Sequence, residues 1–411
     1  MSDRPLRAVF LNRFYWPDVA ATGQMLADLA EDLAAAGWDV QVITSEGEYG
    51  GARARRPRAE THNGVRILRV RATTFGQSSL AGRLADYLSY LGGACLAALT
   101  VPRPDVVVAM TDPPVTVALA ALVAQLRGIK AVYWVQDVYP QLAAALGVVA
   151  PSSLSYRLSL LVARWAHARC AAVITQGPLM SRIMTENAAP PDRTRAIPNW
   201  ADAAAIVPVP PEENAFLHEQ QLAGQFVVLY SGNAGRGHTF EAVLGAMERL
   251  RDDPGISFVF VGGGQQRPFL EAEVARRALT RVRFLDYLPR TMLAQSLSAA
   301  SVSLVTERPE AAGLLLPSKT FGIMASGRPV VFVGAPDSDV AAVVRAADAG
   351  VIVAPDDAAG LAAALVRLRD NPAEAARLGA HGRAAAVERH ARAVSTAAWA
   401  RTVRTLVSGI D

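Results

Sequence analysis

Short runs of Val, Ile and Leu alternate with helix-period segments along the 411-residue chain, and the alternation pauses once. No other feature constrains the fold as strongly. Near-continuous apolar strands separated by helices can be covered on both faces only in a parallel sheet flanked by those helices. In the first half, Arg7–Asn12, Asp39–Thr44, Val65–Val70, Asp105–Met110, Ala131–Val135 and Ala172–Thr175 read as strands. Thr22–Ala36 reads as a helix, with Met25, Leu26, Leu29 and Leu33 on one face and Gly37 as its stop. Pro114–Leu126 reads as another. The pause falls at Ile197–Gly224, where three prolines in Val207–Pro211 and the polar residues after them predict an inter-domain linker. The pattern then restarts at Phe226–Tyr230 and continues through Phe258–Val261, Val282–Phe284, Val302–Val305, Val330–Val333 and Val351–Val353, with helices such as Phe240–Leu250 and Ala358–Leu368 between strands. The expectation is an α/β chain of two doubly wound domains: residues 1–199, a linker at 200–224, and 225–392, with a last helix at 393–411 packing back on the first domain. Ligands in such domains sit beyond the carboxyl ends of the strands, so facing domains would bind between them.

Hydrophobic residues make up 51% and charged residues 19%, which excludes a disordered chain. A net charge of +4 is too mild for a nucleic-acid binder. Cys95 and Cys170 are the only cysteines, too few for a metal or disulfide framework. No Asp-x-Asp stands between the candidate phosphate loops described next, so neither a metal nor another cofactor is expected. The start of the chain lacks a signal-peptide layout, because Asp3, Arg4, Arg7 and Arg13 interrupt any apolar core. Tyr87–Pro102, an uncharged apolar segment of the first half, is short of the roughly 18–20 residues a spanning helix needs. A cytoplasmic protein, or one resting on a membrane surface, is expected. Three basic segments bear on the second option. Gly51–Arg58 carries four Arg and no acid and reads as a solvated loop or a lipid contact. Leu80–Leu99 begins with Arg83 and Asp86, and Ser153–Cys170 sets Arg157, Arg164, His167 and Arg169 among Leu, Tyr and Trp165. Each is either an interfacial amphipathic helix or an ordinary surface helix over a core.

Candidate chemistry clusters at strand ends. After the first strand, Asn12–Pro17 leads to Thr22-Gly23, where backbone amides could meet a phosphate, or where Thr22 simply caps a helix. After Ala131–Val135 come Gln136-Asp137-Val138-Tyr139-Pro140; Asp137 points into the ligand crevice or caps the next helix. The strand Phe226–Tyr230 runs into Ser231-Gly232-Asn233-Ala234-Gly235-Arg236-Gly237-His238, three glycines with Arg and His at a strand-to-helix turn, which suits a phosphate. It matches neither the P-loop nor G-x-G-x-x-G. Gly262-Gly263-Gly264 implies a close backbone approach, to a ligand or to a helix. Finally, Pro317-Ser318-Lys319 fits a helix start. The chain has 39 Arg and only two Lys, Lys130 and Lys319. A scarce Lys set against a helix dipole implies a bound anion or an exposed residue kept by chance.

Taken together, Tyr15-Trp16-Pro17 to Gly23, Gln136-Asp137 to Pro140, Ser231-Gly232-Asn233-Ala234-Gly235 to His238, Phe260-Val261-Gly262-Gly263-Gly264, and Pro317-Ser318-Lys319 to Gly327-Arg328-Pro329 resemble the glycosyltransferases of family 4 over nearly the whole chain. The likeness is greatest to the branch that builds colanic acid, O-antigen and capsule on lipid carriers. The resemblance implies a GT-B fold and a retaining, metal-independent transfer from a nucleotide-diphosphate sugar, a UDP-sugar being expected, to a glycan or lipid-linked acceptor. With the strand-end readings above, catalytic roles are expected for Asp137, Arg236, Lys319 and Glu310, and donor contacts from Gly23, Gly232, Asn233, His238, Gly263, Ser318 and Gly322. The chain also departs from the broad family. Asn233 and His238 stand where that family has the Arg and Lys that hold the diphosphate, Leu314 and Gly322 stand at its two Glu positions, and Gln136 replaces its His. Glu310 or Glu307 would then take the sugar contact. Two rival readings are an epimerase of the same fold and a non-catalytic binder of sugar nucleotides. A dehydrogenase is disfavoured, since no G-x-G-x-x-G opens either half.

Overall fold

The computed structural model describes residues 4–18, 20–47, 56–75 and 80–409, without the side chains at 80 and 83. Two compact units emerge: residues 1–198 with 396–411, and residues 199–395. Unit 1 runs β1 Arg7–Leu11, α1 Ala21–Ala35, β2 Asp39–Ser45, β3 Ala59–His62, β4 Val65–Val70, α2 Leu80–Thr100, β5 Val106–Ala109, α3 Thr116–Arg127, β6 Lys130–Trp134, α4 Gln141–Ala145, α5 Leu154–His167, β7 Ala172–Thr175, α6 Pro178–Glu186 and β8 Thr194–Ala196. Unit 2 runs α7 Ala215–Glu219, β9 Phe226–Ser231, α8 Glu241–Arg249, β10 Ile256–Val261, α9 Arg267–Arg276, β11 Val282–Leu285, α10 Leu293–Ser298, β12 Val302–Thr306, α11 Lys319–Ala325, β13 Val330–Val333, α12 Asp339–Ala347, β14 Gly350–Val353, α13 Ala358–Asp370 and α14 Pro372–Glu388; α15 Arg392–Ser408 follows.

The sheet of unit 1 has the order β3-β4-β2-β1-β5-β6-β7-β8, parallel except for the antiparallel β3–β4 pair. Val9 on β1 pairs with Gln41 on one side and Val107 on the other. Unit 2 is an all-parallel sheet of order β11-β10-β9-β12-β13-β14. Strand order reverses between β1 and β5 and between β9 and β12, so each unit has one switch point where loops part and a ligand can enter. The central strands are apolar on both faces, as β5 (Val-Val-Val-Ala) and β10 show by being buried throughout.

Sequence patterning missed β3 and β8 because neither is apolar: β3 is Ala-Glu-Thr-His, half in solvent, and β8 is three partly or fully exposed residues. The expected linker also differs. Residues 199–224 belong to unit 2, with Ile206, Phe216, Leu217 and Leu222 in its core. Each such buried side chain is worth about 1.5–3 kcal/mol. Asn214 accepts from Leu217 N at 3.2 Å and donates to the Gln295 carbonyl at 2.8 Å. Arg383 donates to the carbonyls of Ala203, Ile206 and Ala325. The prolines mark the turns of a packed segment, not a free tether. At the other end of the chain, Trp399 of α15 is buried, its ring centroid 5.7 Å from Phe10 and 6.0 Å from Trp134. That contact assigns the end of α15 to unit 1. Of the basic segment Gly51–Arg58, residues 51–55 lie outside the described residues, as does the Arg83 side chain.

Candidate functional site

In unit 2 the loop after β9 opens at Gly232, whose φ of +127° few side-chain-bearing residues adopt. The missing side chain makes room for Lys319: a Cβ at Gly232 would lie 3.3 Å from Lys319 Cε. The Lys319 ammonium stands 3.7 Å from the centroid of the Tyr230 ring, within cation–π range. Its nitrogen is covered and has no hydrogen-bond partner. Burial pulls its pKa down to about 7, because the charged form loses its water. His238 lies beside it, with Nδ1 2.6 Å from the Thr306 carbonyl. A carbonyl only accepts, so Nδ1 carries the proton and Nε2 keeps a lone pair. Burial, reinforced by the charge of Lys319, lowers the imidazole to about 3. This histidine is neutral at working pH.

The loop is fixed from two sides. Ala234 N donates to Gly263 O at 2.7 Å, and the Gln266 side chain donates to Gly235 O and His238 O. From the end of β12, Arg308 N donates to Gly237 O and Arg308 Nε to His238 O. The triple glycine now has a definite partner. A Cβ on Gly262 would run into the Gly232 carbonyl oxygen, and one on Gly264 would stand 2.5 Å from Ala234 N. The close approach is loop backbone on loop backbone, not the helix that the sequence left open. Gly263 lies under the ring of Tyr287, which is 64% exposed and offers a flat face at the mouth of the loop. Sequence reading passed over Tyr287, although it follows β11 just as the other site loops follow their strands.

The remaining unit 2 candidates scatter. Arg236 is exposed and donates to Gln265 Oε1 at 2.8 Å. Asn233 is exposed, with its carbonyl accepting from Tyr230 OH. Glu310 is exposed on the turn Pro309–Ala311. Glu307 is only 1% exposed, with Oε2 unpartnered and its pKa pushed up to about 8 by burial, Ser338 opposing the shift in part. A neutral acid turned toward Ser338 is poorly suited to a sugar contact. Helix α11 begins at Lys319, with Ser318 as N-cap making no side-chain capping bond, so Pro317 precedes the helix instead of opening it. Gly322 lies inside α11; a Cβ there would meet Leu297 at 3.6 Å, an ordinary contact.

The carboxyl edge of unit 1 carries carboxylates. Arg13, after β1, donates its N–H to Asp112 O, at the end of β5. Its guanidinium lies over the rings of Phe14 and Tyr87 and 3.4 Å from Asp86. Burial pushes the Asp112 carboxyl up to about 6, with Arg13 opposing. Burial and then the charge of Asp112 push Asp137 up to about 7. The same surroundings raise the phenol of Tyr139. Helix α4 begins at Gln141 with Pro140 as its N-cap, so Asp137 is no helix cap. Sequence reading missed Asp112, because Thr-Asp-Pro-Pro looks like a plain turn. Gly23 is buried, and a Cβ there would lie 3.2 Å from the Phe14 carbonyl, so α1 presses on the loop after β1. The N-cap of α1 is Ala20, which removes the capping role considered for Thr22. Among the described residues no group of three or more His, Cys, Asp or Glu is placed to hold a metal ion.

Residues 21–200 match the glycosyl transferase 4-like domain, and residues 225–371 match the glycosyl transferases group 1 domain. WbjE of Pseudomonas aeruginosa, assigned by name as a glycosyltransferase, is 27% identical over 308 residues, 74% of this chain and 76% of that protein. WcaI of Escherichia coli K12, assigned by name to colanic acid biosynthesis as a glycosyl transferase, is 26% identical over 324 residues, 76% of this chain and 79% of that protein. The structure of HepE from Anabaena, in complex with UDP and glucose, shares the fold, with a TM-score of 0.74 at 17% identity over 97% of this chain and 100% of that one. With both units matched in order, each carrying its site loops at the carboxyl edge of a doubly wound sheet, the chain belongs to the GT-B glycosyltransferases.

Proposed function

We propose that the chain is a retaining, metal-independent hexosyltransferase that moves a sugar from a UDP-sugar to a glycan or lipid-linked acceptor in cell-surface polysaccharide synthesis, working at the cytoplasmic face of the membrane. The observation that carries this reading is the Lys319 ammonium: covered, unpartnered, and framed by Gly232, Tyr230 and His238. A buried amine with no counter-ion is costly unless an anion arrives. A diphosphate supplies that anion, and its charge grows as the sugar departs, which is where a fixed cation accelerates the reaction. The complex of HepE with UDP and glucose, on the same fold, supports a uridine donor; the naming of WcaI supports a polysaccharide product.

In the proposed step, the bond between the anomeric carbon and the phosphate oxygen breaks as the acceptor oxygen bonds to the same face. The acceptor proton passes to the departing phosphate. Burial of Glu307 and exposure of Glu310 agree with a route that needs no carboxylate nucleophile from unit 2. Asp137, with Asp112 behind it, orients an acceptor hydroxyl. Purified protein given UDP-sugar and a membrane-glycan acceptor should make product whose new linkage keeps the anomeric configuration, read by NMR, with EDTA present. Inverted product would overturn retention. Loss of transfer in EDTA and its return with magnesium would overturn metal independence. Turnover of UDP-sugar to an isomer without acceptor would favour the epimerase.

A further inference from the structure

Helix α5 is turned outward. Of its 14 residues only Ala166 and His167 are buried. Leu154, Leu158, Leu161 and Val162, at spacings of i, i+4, i+7 and i+8, are 70, 53, 66 and 42% exposed. Trp165 continues the same stripe one turn later. Such a stripe normally faces a core; here it faces solvent. An open groove lined by Leu91, Leu122 and Trp165 carries the apolar surface on to α3 and α2, and Leu122 is itself exposed. An outward apolar stripe that meets an apolar groove suits a docking face.

The charges on this face have one sign. Arg157, Arg164 and Arg169 are exposed, and Arg169 lies 4.7 Å over the Trp165 ring. Helices α3 and α5 contain no Asp or Glu, and the single acid of α2, Asp86, is buried and engaged by Thr73 and Phe75. Among the described residues no helix is long and apolar enough to cross a membrane. A surface that is apolar at its centre, cationic on its flank and free of carboxylates fits the headgroup layer of an anionic bilayer. A second copy of the chain fits poorly, because a symmetric contact sets the same patch on itself and would bring like charges together with no acid to pair them.

We infer that the α5 face, centred on Leu158, Leu161 and Trp165 and flanked by Arg157, Arg164 and Arg169, rests in the interface of an anionic lipid bilayer. Each surface Arg strengthens binding to anionic lipid by about 5-fold, so the three together give a preference of roughly 100-fold over neutral lipid. The test uses the full chain, flotation with vesicles of phosphatidylcholine alone or with 30% phosphatidylglycerol, and sedimentation equilibrium without lipid. It reads binding alone, so its result is independent of the donor chemistry proposed above. The wild type should be monomeric and bind the anionic vesicles. Arg157→Gln with Arg164→Gln should lower that binding about 30-fold and leave binding to neutral vesicles unchanged. Leu158→Ser with Leu161→Ser should remove binding to both, with a melting temperature at or above that of the wild type. Trp165 fluorescence should shift to the blue on anionic vesicles, a shift lost in Trp165→Phe. Equal binding to neutral and anionic vesicles would overturn the anionic bilayer. So would no binding at all, or a stable dimer that Leu158→Ser with Leu161→Ser dissolves.

Discussion

The two carboxyl edges share a topology and carry opposite chemistry. At the switch point of unit 2, a buried amine lies above an aromatic ring beside a histidine held neutral, next to a loop packed so closely that a Cβ at Gly262 or Gly264 would strike its backbone. At the edge of unit 1, burial raises two carboxyls, Asp112 adds to the rise of Asp137, and Arg13 holds Asp112 in check. The difference teaches that the fold supplies the place and the strand-end residues supply the sign. Under the proposed function, the edge that receives the diphosphate keeps an unpaired cation, and the edge that holds hydroxyl groups keeps carboxyls near the middle of the pH scale.

The largest effect expected from breaking the unit 2 side comes from its loop packing. Gly264→Ala places a Cβ against the Ala234 backbone at a φ of +124°, so it should cost about 2–4 kcal/mol of stability and abolish UDP binding, read by denaturant melts and calorimetry. Lys319→Ala should weaken UDP binding by about 1.5–3 kcal/mol, the worth of a charged hydrogen bond, and lower kcat/KM further. Its stability should match or exceed the wild type, since an uncompensated buried amine is removed. Unchanged kcat and KM would return Lys319 to a bystander. Asp137→Asn should sharpen the contrast from the other side, with acceptor kcat/KM down by roughly 10-fold or more and UDP affinity unchanged. Arg236→Ala should do least, under about 1 kcal/mol on UDP binding, because the side chain is exposed and already paired with Gln265.

The pH profile tests both edges at once. Asp137 is ionised above about 7 and Lys319 is charged below about 7. The kcat/KM of the free enzyme should therefore trace a bell centred near pH 7. Asp137→Asn should flatten the acid limb and Lys319→Ala the alkaline limb. Stability carries its own sign. The raised carboxyls of Asp112, Asp137 and Glu307 favour the fold below the ordinary carboxylate range, and that contribution is lost as pH rises through about 6 to 8. Glu307→Gln should make the melting temperature fall less between pH 5 and 8, by roughly 2–4 °C or more. Parallel melting curves for the two proteins would remove the buried neutral acid from the account.

Sequence made the strands, the two-unit plan and Lys319 readable for one reason: each broke a background statistic. Apolar runs stand out against helices, and one Lys stands out among 39 Arg. What stayed hidden obeyed the background. Asp112 sits in a turn-like Thr-Asp-Pro-Pro, and polar β3 pairs through its backbone. Glu307 and Glu310 look equivalent in sequence, yet the first ends in the core and the second in solvent because β12 ends between sheet and helix before the turn at Pro309. The expected linker was misread because prolines mark packed turns as readily as free ones.

The central claim is that the diphosphate of the donor is held by Lys319, and proton linkage measures it most directly. In the free protein this amine sits at about 7; a bound diphosphate raises it, so binding must draw a proton from solvent. Calorimetry of UDP binding at pH 7.0 and 8.0, in buffers of different ionisation enthalpy, counts that proton. The account predicts an uptake of about one half at pH 7 that grows toward one at pH 8, and an uptake lower by that amount in Lys319→Met. Equal proton counts in the wild type and Lys319→Met would contradict it.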